Sequence, residues 1–574
     1  MWLDSEHDYS KNASSHFLVS SWYELFYALS PDSIQPSLHN VASLIDELSD
    51  LSQRLRTESR FQTHVSKIQD ELKQSVLAEY RQLDAMPAYR ARVQTVAGAS
   101  NPIAIHAGCE VLKECRANYE NNFIQFAKQS IDELPKNKAL VHRVIKSLAT
   151  FAFQRGKEDN DVWDPFSKDL SKTPAEVFEE IVNLSASNVK SYQCTLAVVG
   201  EIQSVQSTLR RAGFRLISQR DAPSSFLKRI EYPMNQVSIV GMVVEATSIR
   251  IAVGDCHKKM GVALGISSLY RNSHSLKPIQ LTHVKIEDNE ILFSQAEQAF
   301  RRLYARSQAA KDIQDGQQLL EKGVDNRLLG AIDLLSLASA SGDARVRLIN
   351  LWSSIETLAG AHEGNTTLER VLNLVVPLVM SRLVSRRVRT LAISTQKLGV
   401  VLNDFEFGNG FRNSHAGFVS PRDVLKTLAA PAHSKPICEY LRFAEHPLLR
   451  FRVFQEWQMF SDPKRLRQSL SRTKQRLEWQ IARIYRARNL LVHQGEESPF
   501  LVPLVDNLQN YLSMTLQRAI HELKVHPKWT LRNVIEYWNG NMNYIFNCLQ
   551  TCPQQLTVDD FIDGDKKTGI WTIS

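Results

Sequence analysis

Apolar residues recur at intervals of three and four through the first and last parts of this chain, and one segment, from about Ser191 to residue 296, breaks that rhythm. The contrast decides the fold class. A spacing of three and four gathers side chains on one face of a helix, whereas a half-buried strand alternates by two. Val41, Leu44, Ile45, Leu48, Leu51 and Leu55 keep the helical interval, and the stretches Pro102 to Leu134 and Pro174 to Leu184 read likewise. The middle segment instead offers short runs rich in β-branched residues at Cys194 to Gly200, Phe214 to Ser218, Val237 to Ala246, Ile279 to Ile286 and Ile291 to Phe293. Helical stretches at Ser204 to Ala212 and Ile249 to Tyr270 interrupt them, so the order is β-α-β-β-α-β, that of a ferredoxin-like unit. From about Ser294 the helical interval returns, with broad apolar stripes at Leu328 to Ala338 and around Trp352. Thr366 with Glu369 reads as a capping box, and Asp462-Pro463 as an N-cap followed by proline at the first helical position. The predicted fold is therefore mainly α. It has a helical domain over 1–190, a small central α/β module over 191–296, a helical bundle over 297–525 with an insertion at about 391–460, and a helical extension and tail over 526–574.

A chain of 574 residues exceeds one ordinary domain, and 43% hydrophobic with 23% charged residues is a globular composition. No apolar run is long enough to span a bilayer, and the opening MWLDSEHDYSKNASS lacks the basic start and apolar core of a secretion signal. Seven scattered cysteines suit a reducing cytosol, so a cytoplasmic location is expected. Cys548 and Cys552, one helical turn apart, read as buried packing rather than a metal site. The near-match to a zinc-protease motif at His521 to His526 has one residue too many to put both imidazoles on one helix face. Asp559, Asp560, Asp563 and Asp565 follow no nuclease or calcium-loop spacing. No glycine-rich loop precedes a Lys and a Ser or Thr, which argues against a P-loop ATPase or GTPase. No metal and no cofactor are expected.

The formal charge of +8 is modest for this length, but it is concentrated. Arg382, Arg386, Arg387 and Arg389 form one cluster. Lys464, Arg465, Arg467, Arg472, Lys474 and Arg476 form another, which leads into Arg483, Arg486 and Arg488. Such density attracts a polyanion. It converges on Ile481 to Glu497, where Arg488-Asn489 is followed by three apolar residues and then His493. A guanidinium can grip a phosphate with two parallel hydrogen bonds, and an imidazole moves protons near neutral pH. Together they can cleave RNA by turning the ribose 2′-OH into an internal nucleophile. Residues five apart on an ideal helix lie about 140° apart, so the pair needs either a helix end just before His493 or a second subunit. Gly495 favours the first, since glycine commonly follows a helix terminus.

These residues resemble the HEPN superfamily in its ApeA-like branch, whose motif is Arg, four to six residues, then His, with Asn commonly after the Arg. Arg345 to Leu358 looks like the family's helix before the motif, and Thr366 to Arg370 like the start of the next one. The resemblance covers roughly Asp325 to Leu523. It implies a helical bundle in which two copies of the motif helix face one cleft, hence a homodimer. It also implies metal-independent endoribonuclease activity on RNA such as tRNA or mRNA. In that role His493 would be general base or acid, Arg488 would stabilise charge on the phosphorus oxygens, Asn489 would orient the His or hold a phosphate, and Glu356 would be the added polar residue. The RNA contacts would be Arg483, Arg486, Arg472, Lys474 and Arg476. Arg412, in an Arg-Asn-Ser-His loop that otherwise reads as ordinary surface, would be a further contact. ApeA-like proteins are associated with anti-phage defence and toxin-like growth arrest, which implies a phage-derived trigger or an operon-encoded partner. A related toxin group is silenced through a Tyr two residues after the His. That position is Gly495 here, so this control is not expected. The alternatives are a non-catalytic RNA-binding or dimerisation module and a scaffold subunit of a defence complex.

Overall fold

A computed structural model describes residues 12–26, 40–55, 62–78, 83, 86–134, 136–155, 172–185, 189–200, 202–270, 277–286, 289–294, 326–341, 343–360, 364, 366–397, 420–430, 435–444, 446–498 and 500–562. The expected loop at Asp159 to Asp164 and the Arg412 to His415 loop lie outside them. The first part is helical: α1 (Ala13–Phe26), α2 (Val41–Leu55), α3 (Gln62–Ala78), α4 (Pro87–Gly98), α5 (Pro102–Glu114), α6 (Arg116–Ser130), α7 (Lys138–Gln154) and α8 (Pro174–Ser185). Asn101 caps α5 by accepting the Ile103 N–H, and Asn137 caps α7 by accepting that of Leu140.

The α/β module follows as β1 (Lys190–Val199), α9 (Gln206–Arg211), β2 (Arg215–Ile217), α10 (Ser224–Leu227), β3 (Val237–Ala246), α11 (Ile249–Tyr270), β4 (Lys277–Ile286) and β5 (Asn289–Ser294). The sheet order is β2-β3-β1-β4-β5, and each pairing is antiparallel. The first four strands thus have the ferredoxin-like arrangement, and β5 extends it as a hairpin partner of β4. Alternate residues of β1 explain the layering. Tyr192, Cys194, Leu196 and Val198 meet Ala252, Val253, Cys256 and Met260 of α11, while Ala197 faces Phe226 of α10 on the other side.

The last part comprises α12 (Asn326–Ala340), α13 (Ala344–Ala359), α14 (Thr367–Lys397), α15 (Pro421–Leu428), α16 (Lys435–Phe443), α17 (Pro447–Phe460), α18 (Pro463–Gln494), α19 (Leu501–Val525) and α20 (Leu531–Thr551). The Glu369 N–H bonds Thr366 Oγ1 at 3.2 Å, the backbone half of the expected capping box. One continuous core takes Trp352 from α13, Val375 from α14, Ile484 from α18 and Tyr511 from α19. Leu531, Val534 and Trp538 place α20, expected as an extension, within that same core. Within the stretch expected as an insertion at 391–460, the described helices pack with the bundle: Val424, Tyr440 and Val453 join the core. Its helix α17 faces two ways, because Leu448 and Phe451 pack into the N-terminal core, Phe451 edge-on to Phe17 with centroids 5.3 Å apart. Arg452 pairs with Glu24 there at 2.7 Å. Among the described residues no helix is long and apolar enough to cross a membrane.

Candidate active site

Everything at the motif is set by α18. Asp462 accepts the Lys464 N–H at 2.9 Å and Pro463 occupies the first turn, as the sequence predicts. The helix then runs for 32 residues. It ends at Gly495, whose φ of 67° lies in the left-handed region, with the N–H groups of Gly495 and Glu496 turned back to Leu491 and Leu490. The helix end therefore comes after His493, not before it, because the last turn needs carbonyls up to Leu491 to receive those bonds. Arg488 and His493 consequently stay on one straight helix, about 140° apart around it and about 7.5 Å along it. One chain does not bring them onto a common face.

Each is held differently. Arg488 lies partly buried and donates to Asn489 Oδ1 at 2.9 Å. Its Nη2 stands 3.7 Å from Glu356 Oε2 on α13, so three of the four expected catalytic residues meet. The Arg488 Nε is buried with no hydrogen-bond partner among the described residues. His493 is exposed, next to an exposed Val492.

The middle of α18 faces the N-terminal helices. Tyr485 packs against Trp352 at 5.3 Å and His64 of α3 at 6.0 Å. Burial pushes the His64 imidazole down to about 4, and the nearby Lys67 charge adds to this. Arg483 donates to Glu47 of α2 at 2.8 Å and to Glu71 of α3 at 2.7 Å. Arg486 also contacts Glu47, and burial lowers its guanidinium to about 9, still charged at neutral pH. These two arginines, expected as RNA contacts, are instead interior ion-pair partners joining the N-terminal helices to the bundle. Sequence reading could not separate them from their neighbours, since the carboxylates lie more than 400 positions away. Arg472 is exposed, whereas Lys474 and Arg476 are half-buried. Arg412 lies outside the described residues. Trp479 is buried, and Trp457 donates its ring N–H to the Ala430 carbonyl at 3.1 Å, so both anchor the core.

A second group escaped sequence reading. Arg54 of α2 donates to Gln494 at 2.7 Å and to Glu496 at 3.0 Å. Lys258 of α11 reaches Glu497 at 2.9 Å, and Arg345 of α13 stands 3.6 Å from the same carboxylate. Arg345 is fixed from behind by Asp343, the N-cap of α13. Burial raises the Asp343 carboxyl, but the Arg345 hydrogen bonds and charge outweigh it and hold the group below its ordinary value. All three parts of the chain thus meet at the four residues after His493.

A small cleft of about 30 Å³ between α14, α18 and α20, lined by Met380, Val384, Leu470, Trp538 and Phe546, is mainly apolar. Leu470 sits 18 positions before Arg488, about 27 Å along the helix, so the cleft is no part of the motif. Comparison with family models, with curated proteins and with solved structures gave no match.

Proposed function

We propose that the chain is a metal-independent endoribonuclease of the HEPN type, acting as a homodimer in which motif helices from two copies share a cleft. The observation that carries the reading is the meeting of Glu356 with Arg488 across α13 and α18, with Asn489 on the other side of the same guanidinium. Arg488, nearly two turns before the end of α18, keeps its side chain 22% exposed beside these two groups. A guanidinium so placed can neutralise a phosphate oxyanion. His493, exposed and on a different face, then serves the cleft alongside the partner copy's helix rather than its own Arg488.

In this mechanism His493 takes the proton from the ribose 2′-OH, whose oxygen attacks the adjacent phosphorus. Arg488 neutralises charge on the non-bridging oxygens, and the 5′-oxygen leaves with a proton from the other copy's imidazole. The products are a 2′,3′-cyclic phosphate and a 5′-hydroxyl. Glu356 and Asn489 orient Arg488. The biological role we attach to this is a cytoplasmic, toxin-like effector of anti-phage defence, with the N-terminal helices and the α/β module answering a phage-derived trigger or an operon-encoded partner. The second reading, a non-catalytic RNA-binding or scaffold protein, is favoured by the two contacts that already occupy Arg488.

Incubation with tRNA and mRNA in EDTA decides between them. Cleavage leaving cyclic-phosphate ends, lost in both Arg488→Ala and His493→Ala, is the expected result. Mixing the two inactive variants tests the shared cleft: a mixed dimer sets one copy's His493 against the other's Arg488 but lacks the second imidazole, so a partial return of activity is expected. RNA binding without turnover in the parent supports the second reading, and cleavage indifferent to both substitutions refutes the site.

A further inference from the structure

Three cations drawn from three separate parts of the fold converge on Glu496 and Glu497, directly after His493. Arg54 belongs to the N-terminal helices, Lys258 to the α/β module and Arg345 to the bundle. We propose that Arg54, Lys258 and Arg345 are a binding track for the phosphates of the RNA strand flanking the cleaved bond, and that Glu496 and Glu497 occupy it in the closed chain as phosphate mimics. This inference rests on the ribonuclease reading of His493, and it adds the substrate contacts and the autoinhibition of that site.

Several observations point the same way. The cations gather on carboxylate oxygens, the same charge and acceptor type that a phosphate offers. Glu497 receives two cations at 2.9 and 3.6 Å, and the Arg54 guanidinium spreads over two acceptors at 2.7 and 3.0 Å. They are also open to solvent. The side chains of the Arg54–Glu496 pair are 24% and 58% exposed and those of Lys258–Glu497 51% and 32%. The Arg483–Glu71 pair, by contrast, is 5% and 8% exposed. Pairs in water exchange partners readily, and a polyanion with several phosphates competes well for them, whereas the buried pair is closed to it. The carboxylates also lie past the helix end: Gly495 stops α18 with φ 67°, and the 495–498 stretch carries no helix or strand, so the acidic pair belongs to the turn and His493 to the helix. Finally, the two glutamates follow His493 by only three and four residues.

The test measures RNA affinity in a His493→Ala background, where turnover does not interfere. Glu496→Gln/Glu497→Gln is expected to tighten binding of a short single-stranded RNA by about five- to tenfold, because it removes two negative charges from the track while Asp343 stays on Arg345. Glu536→Gln, which removes one exposed carboxylate paired with Arg532 on remote α20, controls for bulk charge. Arg54→Ala/Lys258→Ala/Arg345→Ala is expected to weaken binding and to flatten the slope of log affinity against log salt by about two, at about 0.7 per phosphate contact. The charge-keeping Arg54→Lys/Arg345→Lys retains most of the affinity. If the glutamine variant binds no tighter than the Glu536 control, or if the alanine variant lowers only the melting temperature, the three pairs are a domain staple and the proposal fails. A parent that binds RNA as described yet never cleaves overturns the ribonuclease reading and leaves the track standing.

Discussion

Replacing Arg483 by Met separates a structural role for the basic stretch of α18 from an RNA-binding one. Arg483 places its guanidinium between Glu47 and Glu71, with side-chain exposures of 5%, 11% and 8% respectively, and donates also to Gln480 at 3.3 Å. Methionine keeps most of the volume and removes the charge. Removing one partner of a buried ion pair costs about 3–5 kcal/mol, because a carboxylate stays behind without its counter-ion. Glu47 retains Arg486, so the uncompensated charge is mainly that of Glu71 and the lower end applies, about 3 kcal/mol. For a cooperative unit of about 150–250 residues that loss lowers Tm by about 6–12 °C. The expected readout is a lower thermal transition, with limited proteolysis cutting first in the N-terminal helices, whose docking on α18 runs through these carboxylates. Adding Glu71→Gln to Arg483→Met removes the stranded charge and is expected to restore a substantial part of the loss. An Arg483→Met protein that melts like the parent but binds RNA more weakly would refute the reasoning and return Arg483 to the RNA surface.

Acid probes this interface through His64, which stacks on Tyr485, and the α/β module through His257, which bonds Thr282 of β4. His64 and His257 both have imidazoles pushed down to about 4 from 6.5, each chiefly by burial. Between those two pH values the unfolded chain binds more protons, so stability is complete above pH 6.5 and falls as pH drops toward 4. At pH 5 each ring contributes a loss of up to about 2 kcal/mol. A His64→Gln protein is expected to show a shallower decline in urea midpoint between pH 7 and pH 5, and an unchanged decline would count against a neutral buried His64. Gly495→Ala tests the helix stop: a Cβ there meets nothing within 4 Å, so the cost is the left-handed backbone alone, about 1 kcal/mol. It is read as a Tm fall of a few degrees, and a larger fall would mean that the 495–498 turn is packed more tightly than its open surroundings imply.

Local signals carried most of the fold. The bounds of β3 and α11 were legible because β-branched runs and helical spacing are written in neighbouring residues, and Asp462-Pro463 and Gly495 mark the ends of α18 by chemistry that acts within one turn. Glu356 was singled out only through the resemblance, as a polar residue of the preceding helix; its approach to Arg488, 132 positions away, was not legible. What stayed hidden was the use of charge. Arg483, Arg486 and Arg488 look alike in sequence, yet the first two are consumed by Glu47 and Glu71 while the third keeps an unpaired N–H. The difference follows from where α2 and α3 dock, which no local pattern encodes. The acidic pair after His493 is hidden for the same reason. Glu496 and Glu497 read as an ordinary solvated turn until Arg54, Lys258 and Arg345 arrive from three directions. The long-range pairs thus divide by burial into two jobs. The closed Glu47–Arg483–Glu71 group holds the N-terminal helices on α18, and the open group following His493 is the one that solvent reaches. The two kinds of ion pair are separated along the chain as well: the closed one lies about three turns before the end of α18, and the open one just after it.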